Sequence, residues 1–123
     1  MIKTRNLRIF LFSLLFTLVL GLIFFYLNHA LGESIWSGMQ ISRSALTAEY
    51  CELYRTGHLF HQPVNTYSNL FYFLLGSIIL GLSINGTSAS NSNSLQQFPA
   101  LMAFCGLSLI YLCFGSSFFH ASM

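Results

Sequence analysis

Apolar positions fall in three long runs separated by polar stretches, and run length decides what each one is. Ile9 to Leu27 is apolar apart from Ser13, Thr17 and Gly21. At about 1.5 Å of rise per residue, a helix of that length crosses a hydrocarbon core of about 30 Å. A second run extends from about Thr66 to Ile84 and a third from Phe98 to Phe119. Pro99 opens the third, at a position where a helix tolerates a missing N–H. Asn85 to Gln97, reading NGTSASNSNSLQQ, is a Gly/Ser/Asn-rich stretch that fits a connecting loop. The pattern predicts an all-α, multi-pass transmembrane protein with about three spans, the second and third forming an antiparallel hairpin. Packing between helices is expected at Gly76, Gly81 and Gly106, because small residues let helix backbones approach closely in lipid.

The chain divides accordingly into a basic segment with the first span (1–27), an intervening polar segment (28–65) and the hairpin (66–123). Within the middle segment Leu46, Tyr50, Leu53 and Tyr54 recur at helical spacing, while Thr47, Glu49, Glu52 and Arg55 fall mainly elsewhere around the wheel. An amphipathic helix lying on the membrane surface is the expectation. The first span competes with a secretory signal peptide, since Lys3, Arg5 and Arg8 form a basic leader. Its apolar stretch exceeds the usual signal length, and no A-x-A site follows.

Composition agrees with lipid as the solvent: 54% of the 123 residues are hydrophobic, 7% are charged and the mean hydropathy is +0.65. No residue after Arg55 is acidic or basic, histidine aside. No basic stripe exists to neutralise phosphates, which argues against nucleic-acid binding. By the positive-inside rule the N-terminus is cytoplasmic, residues 28–65 lie outside and the 85–97 loop inside. Arg43 and Arg55 in the outer segment weigh mildly against this. Asn85-Gly86-Thr87 is a glycosylation sequon on the inner side of that topology. Cys51, Cys105 and Cys113 show no paired spacing, and the last two read as small packing residues in a helix.

Two polar clusters sit where lipid would penalise them. The first, Gln62 to Asn69, enters the second span; the second, Gly115 to Ser122, leaves the third. An antiparallel hairpin brings both to the same membrane face. Ser116 and His120 are spaced i, i+4 and share a helix face, so a hydroxyl could hold a water or substrate oxygen beside a metal-binding imidazole. Asn65 and Asn69 share a face in the same way. The competing reading is that the serines serve close helix packing and that His120 contacts headgroups. A self-contained His58/His61/His120 metal site is a further alternative, because catalytic zinc generally needs three protein ligands.

Tyr50-Cys51-Glu52, then Gln62-Pro63 with Asn65-Thr66-Tyr67-Ser68-Asn69-Leu70, then Gly115-Ser116 with Phe119-His120-Ala121-Ser122 resembles the opening of the alkaline ceramidase family. That family belongs to a superfamily of seven-helix membrane hydrolases that includes adiponectin-receptor-like proteins. The resemblance runs from about Glu49 to Met123 and implies a zinc-dependent amide hydrolase acting on ceramide-like sphingolipids in the membrane. It makes His120 a zinc ligand and Ser116 the catalytic group that orients metal-bound water or stabilises the oxyanion. It aligns Tyr50, Glu52 and Asn65 with calcium-holding positions. Here Glu49 stands where the eukaryotic pattern has Asp, Tyr54 where it has Asn and Gln62 where it has Glu, which removes much of the anionic set a hard cation wants. Glu49 and Glu52 read alternatively as solvated charges. The first span precedes the family's first motif. The family's remaining zinc ligands lie in later helices, so the expectation is the N-terminal part of such an enzyme, inactive without a C-terminal part or partner chain. The alternative, from another class, is a non-catalytic three-span accessory or interaction protein.

Overall fold

The protein is described by a computed structural model covering residues 4–43, 47, 52–84 and 97–122. Three helical stretches are long and apolar enough to cross a bilayer, as the runs predict. Helix α1 is Thr4–Ala30, α2 is Pro63–Ser68, α3 is Leu70–Ile84 and α4 is Pro99–Ser122. A 3-10 turn, Glu33–Trp36, follows α1. Asn69 keeps right-handed helical angles (φ −64°, ψ −19°), so α2 and α3 act as one span, Pro63–Ile84. Among the described residues there is no strand. The helices outrun their apolar runs, α1 starting at Thr4 rather than Ile9 and α4 ending at Ser122 rather than Phe119. Hydropathy marks only the part of a helix that must be apolar, whereas backbone hydrogen bonding continues into the interface until something stops it.

Close approaches fix the direction of each helix. Between the second span and α4 they pair Gln62 with His120, Thr66 with Ser117, Phe73 with Phe114 and Gly76 with Gly106 and Ile110. Rising numbers meet falling ones, so the two run antiparallel, as the hairpin expectation has it. Between α1 and α3 the pairs are Ile9 with Gly81 and Gly21 with Leu70, again antiparallel. α1 and α4 thus both pack on α3, the middle helix of a single layer.

Glycine sets the tightest of these crossings. A Cβ added at Gly76 would lie 2.7 Å from the Gly106 carbonyl oxygen, and one at Gly106 would lie 2.9 Å from that of Gly76. The two backbones touch directly, with no side chain between them. Cys113, on the same helix as Gly106, is wholly buried and Cys105 half-buried. Outward positions such as Leu22, Phe104 and Tyr111 remain largely exposed, as lipid-facing side chains are in an isolated membrane bundle.

The intervening segment departs from the amphipathic-helix expectation. Leu46, Glu49 and Tyr50 lie outside the described residues, and Glu52 to Arg55 form irregular chain. Gly57, at φ +84°, turns that chain back, and the Arg55 N–H donates to the His61 carbonyl at 2.9 Å. The spacing of Leu53 and Tyr54 suits a helix, but a glycine in the left-handed region is a terminator.

Candidate functional site

The segment from Glu52 to Gln62 folds as a strap over the distal end of the bundle, where α1 ends, α2 begins and α4 ends. Its anchors begin in the main chain. The N–H groups of His61 and Gln62 donate to the carbonyls of Ala121 and His120, at 3.3 and 3.0 Å. They thereby satisfy acceptors that the last turn of α4 cannot satisfy within the helix. The Phe60 N–H donates to Asn28 Oδ1 at 2.8 Å, and Trp36 Nε1 donates to the Leu59 carbonyl at 2.7 Å. Phe24, Leu59, Phe60 and Ala121 form a small apolar core beneath the strap.

Glu52 occupies the entrance to the second span. Its Oε1 accepts the Val64 N–H at 3.0 Å and its Oε2 the Asn65 N–H at 2.9 Å. Gln62 is the N-cap residue of α2 but makes no side-chain cap. A carboxylate ten residues upstream therefore does the work of a local cap, with its charge at the positive end of the helix. Glu52 is 8% exposed, and Arg55 lies 3.8 Å from it with a mostly exposed side chain. The expectation of a solvated charge fails at Glu52, because the first turn of α2 needs acceptors where water is excluded.

Gln62 is the hub. Its side chain is fully buried. Nε2 donates to the Glu52 carbonyl at 3.0 Å, while Oε1 accepts from Asn65 Nδ2 at 3.2 Å and from His120 Nδ1 at 2.7 Å. An amide oxygen only accepts, so the short contact puts the imidazole proton on Nδ1. The lone pair of the neutral ring is then on Nε2, and the ring plane is fixed, which is how an outer partner prepares a histidine to ligate metal.

Described residues of all three motifs, far apart in sequence, meet in this one cluster, Glu52 standing for the first, and they take unequal parts in it. His120 and Asn65 are members, and Glu52 joins through its capping bonds. Ser116 is half-buried one turn from His120, but it is Ser117 that is buried and donates, at 3.4 Å, to the Thr66 carbonyl. Tyr50 lies outside the described residues. His61 turns its ring to Tyr54, with centroids 4.3 Å apart and the Tyr54 hydroxyl 3.4 Å from Nε2, while His58 is exposed. Asn69 is buried with its amide nitrogen unpartnered. Sequence reasoning missed the roles of Gln62 and Ser117. The signal available for Gln62 was a polar side chain immediately before a helix-opening proline.

No family model, curated protein or solved structure matches this chain. Among the described residues no group of three His, Cys, Asp or Glu side chains could hold a metal ion. A zinc centre of the ordinary three-ligand kind does not fit these residues by themselves, although His120 is oriented as one member of such a centre would be.

Proposed function

We propose that this multi-span membrane protein contributes the distal half-site of a membrane-embedded amide hydrolase of alkaline ceramidase type, with ceramide-like lipids as the substrate class. The supporting observation is the 2.7 Å bond from His120 Nδ1 to Gln62 Oε1, which fixes the tautomer and direction of a histidine at the mouth of a span. His120 serves as one zinc ligand and Ser116 as a hydroxyl beside it; the other ligands come from outside the described residues. Calcium has less support, because both Glu52 oxygens already accept backbone N–H groups.

The test is to isolate the tagged chain from its native membranes with whatever accompanies it, then measure zinc content and release of fatty acid from a fluorescent ceramide. Zinc and hydrolysis that both disappear in His120→Ala support the reading. A preparation free of zinc, or one whose hydrolysis is indifferent to His120→Ala, refutes it.

A second reading, a non-catalytic three-span accessory protein, has its own observation. Glu52, Gln62 and Thr66 are all engaged in bonds that build the cluster itself. The same preparation decides between the two. For orientation we propose a cytoplasmic N-terminus, under which Asn85 stays unglycosylated in a eukaryotic host.

A further inference from the structure

A cavity of about 530 Å³ opens on the other side of the strap, within the size range of ordinary ligand pockets. Glu33, Trp36, Met39, Tyr54, His61 and Ser122 are among its lining residues. Its chemistry is one-sided. Glu33 is the sole acid among the described lining residues, and no Lys or Arg is present there. The Arg55 guanidinium is directed to Glu52 instead. The Glu33 carboxylate is held in place by the Gly57 N–H, which donates to Oε2 at 2.7 Å. Around it stand an indole, a phenol and an imidazole. The Trp36 ring is braced at its nitrogen by the Leu59 carbonyl and packs nearly perpendicular to Phe118, with centroids 5.4 Å apart. Burial and the nearby Glu33 charge push the Tyr54 hydroxyl above its usual range, so it stays a neutral ring.

From a fixed carboxylate, aromatic walls and the absence of Lys or Arg among the described lining residues, we infer that this cavity binds an organic ammonium cation. Aromatic rings attract such cations through their faces, and a carboxylate supplies the counter-charge. Hard divalent cations fit less well, because they favour several carboxylates and Glu33 is the sole one among the described lining residues. The cavity lies at the end of α1 and α4, where spans of this length leave the hydrocarbon, so either the trimethylammonium group of a lipid or a free solute of the same chemistry is a candidate occupant. The inference is independent of the hydrolase reading, since it uses neither His120 nor Ser116.

Trp36 is the sole tryptophan of the chain, so its fluorescence reports on the cavity directly. The full chain, purified in maltoside micelles, is titrated with choline chloride, with sodium chloride at matched ionic strength, and with 3,3-dimethyl-1-butanol, the uncharged isostere of choline. A saturable change with choline alone is expected, weakened about tenfold or more in Glu33→Gln by loss of the counter-charge. Glutamine keeps an acceptor for the Gly57 N–H, and an unchanged circular dichroism spectrum shows that the variant is folded. An equal response to the isostere or to sodium, or an affinity unchanged in Glu33→Gln, overturns the inference. Repeating the titration in nanodiscs of phosphatidylcholine and of phosphatidylglycerol identifies the source. Loss of the choline response in the former only makes a lipid headgroup the occupant, whereas its persistence in both makes the occupant a free solute.

Discussion

Glu52→Gln isolates what one carboxylate contributes to the distal end. Glutamine has nearly the same shape but replaces one oxygen with an amide nitrogen, which is a donor. In the structure each oxygen faces a backbone N–H, from Val64 and from Asn65, at 3.0 and 2.9 Å. One N–H must therefore lose its acceptor in a site that is 8% exposed. An orphaned buried donor costs about 1–3 kcal/mol. Loss of the negative charge at the helix N-terminus adds about 0.3–1 kcal/mol. The Arg55 contact adds little, since that side chain is mostly in solvent. The expected loss is about 1–4 kcal/mol in all. Reversible unfolding in mild detergent measures it, followed through Trp36, which is bonded to the strap at Leu59. Glu33→Gln, at an exposed carboxylate with one backbone donor, is the control and should cost under about 1 kcal/mol. If Glu52→Gln unfolds within about 0.5 kcal/mol of the parent, the remote cap is not a stabilising element and the reasoning from orphaned donors fails.

Two further variants test the helix layer and the hub. Gly76→Ala forces a Cβ to 2.7 Å from the Gly106 carbonyl, a backbone atom that cannot step aside, and should destabilise by about 1–3 kcal/mol despite alanine's better helix propensity. Gly81→Ala meets only the Cγ2 end of Ile9 at 2.7 Å and should cost less; the same unfolding assay ranks them, and equal costs would contradict direct backbone contact at Gly76. Gln62→Leu removes the acceptor for His120 Nδ1. Nitrogen-15 spectra of the imidazoles should show a single Nδ1-protonated form of His120 in the parent and a mixture in the variant; unchanged ring shifts would mean that Gln62 does not set the tautomer.

The spans were legible because lipid imposes a length and an apolarity that a linear pattern records. The antiparallel pairing of the second and third spans followed from their short connection, and the importance of Gly76 and Gly106 from the need for close approach. The distal cluster was only half legible. Its three motifs were visible as polar residues where lipid disfavours them, but their division of labour was not. Glu52 caps a helix that begins at Pro63, outside any local capping signature, and Ser117 rather than its neighbour turns inward because helix rotation is fixed by the glycine contact at Gly106, about three turns away. The helical spacing of Leu53 and Tyr54 misled for the converse reason: the backbone there bonds to His61, and tertiary partners outweigh local periodicity.

The two main-chain bonds from His61 and Gln62 to the last turn of α4 also order the protein's biogenesis. During synthesis the strap leaves the ribosome well before His120 and Ala121 are made, and those N–H groups lack their helix acceptors until the third span has entered the bilayer and turned its end toward them. The distal cluster needs α4 in place, because Gln62 bonds to His120 through both main chain and side chain. Insertion of α4 is therefore the event that brings the acceptors of its last turn to the polar segment at the membrane surface.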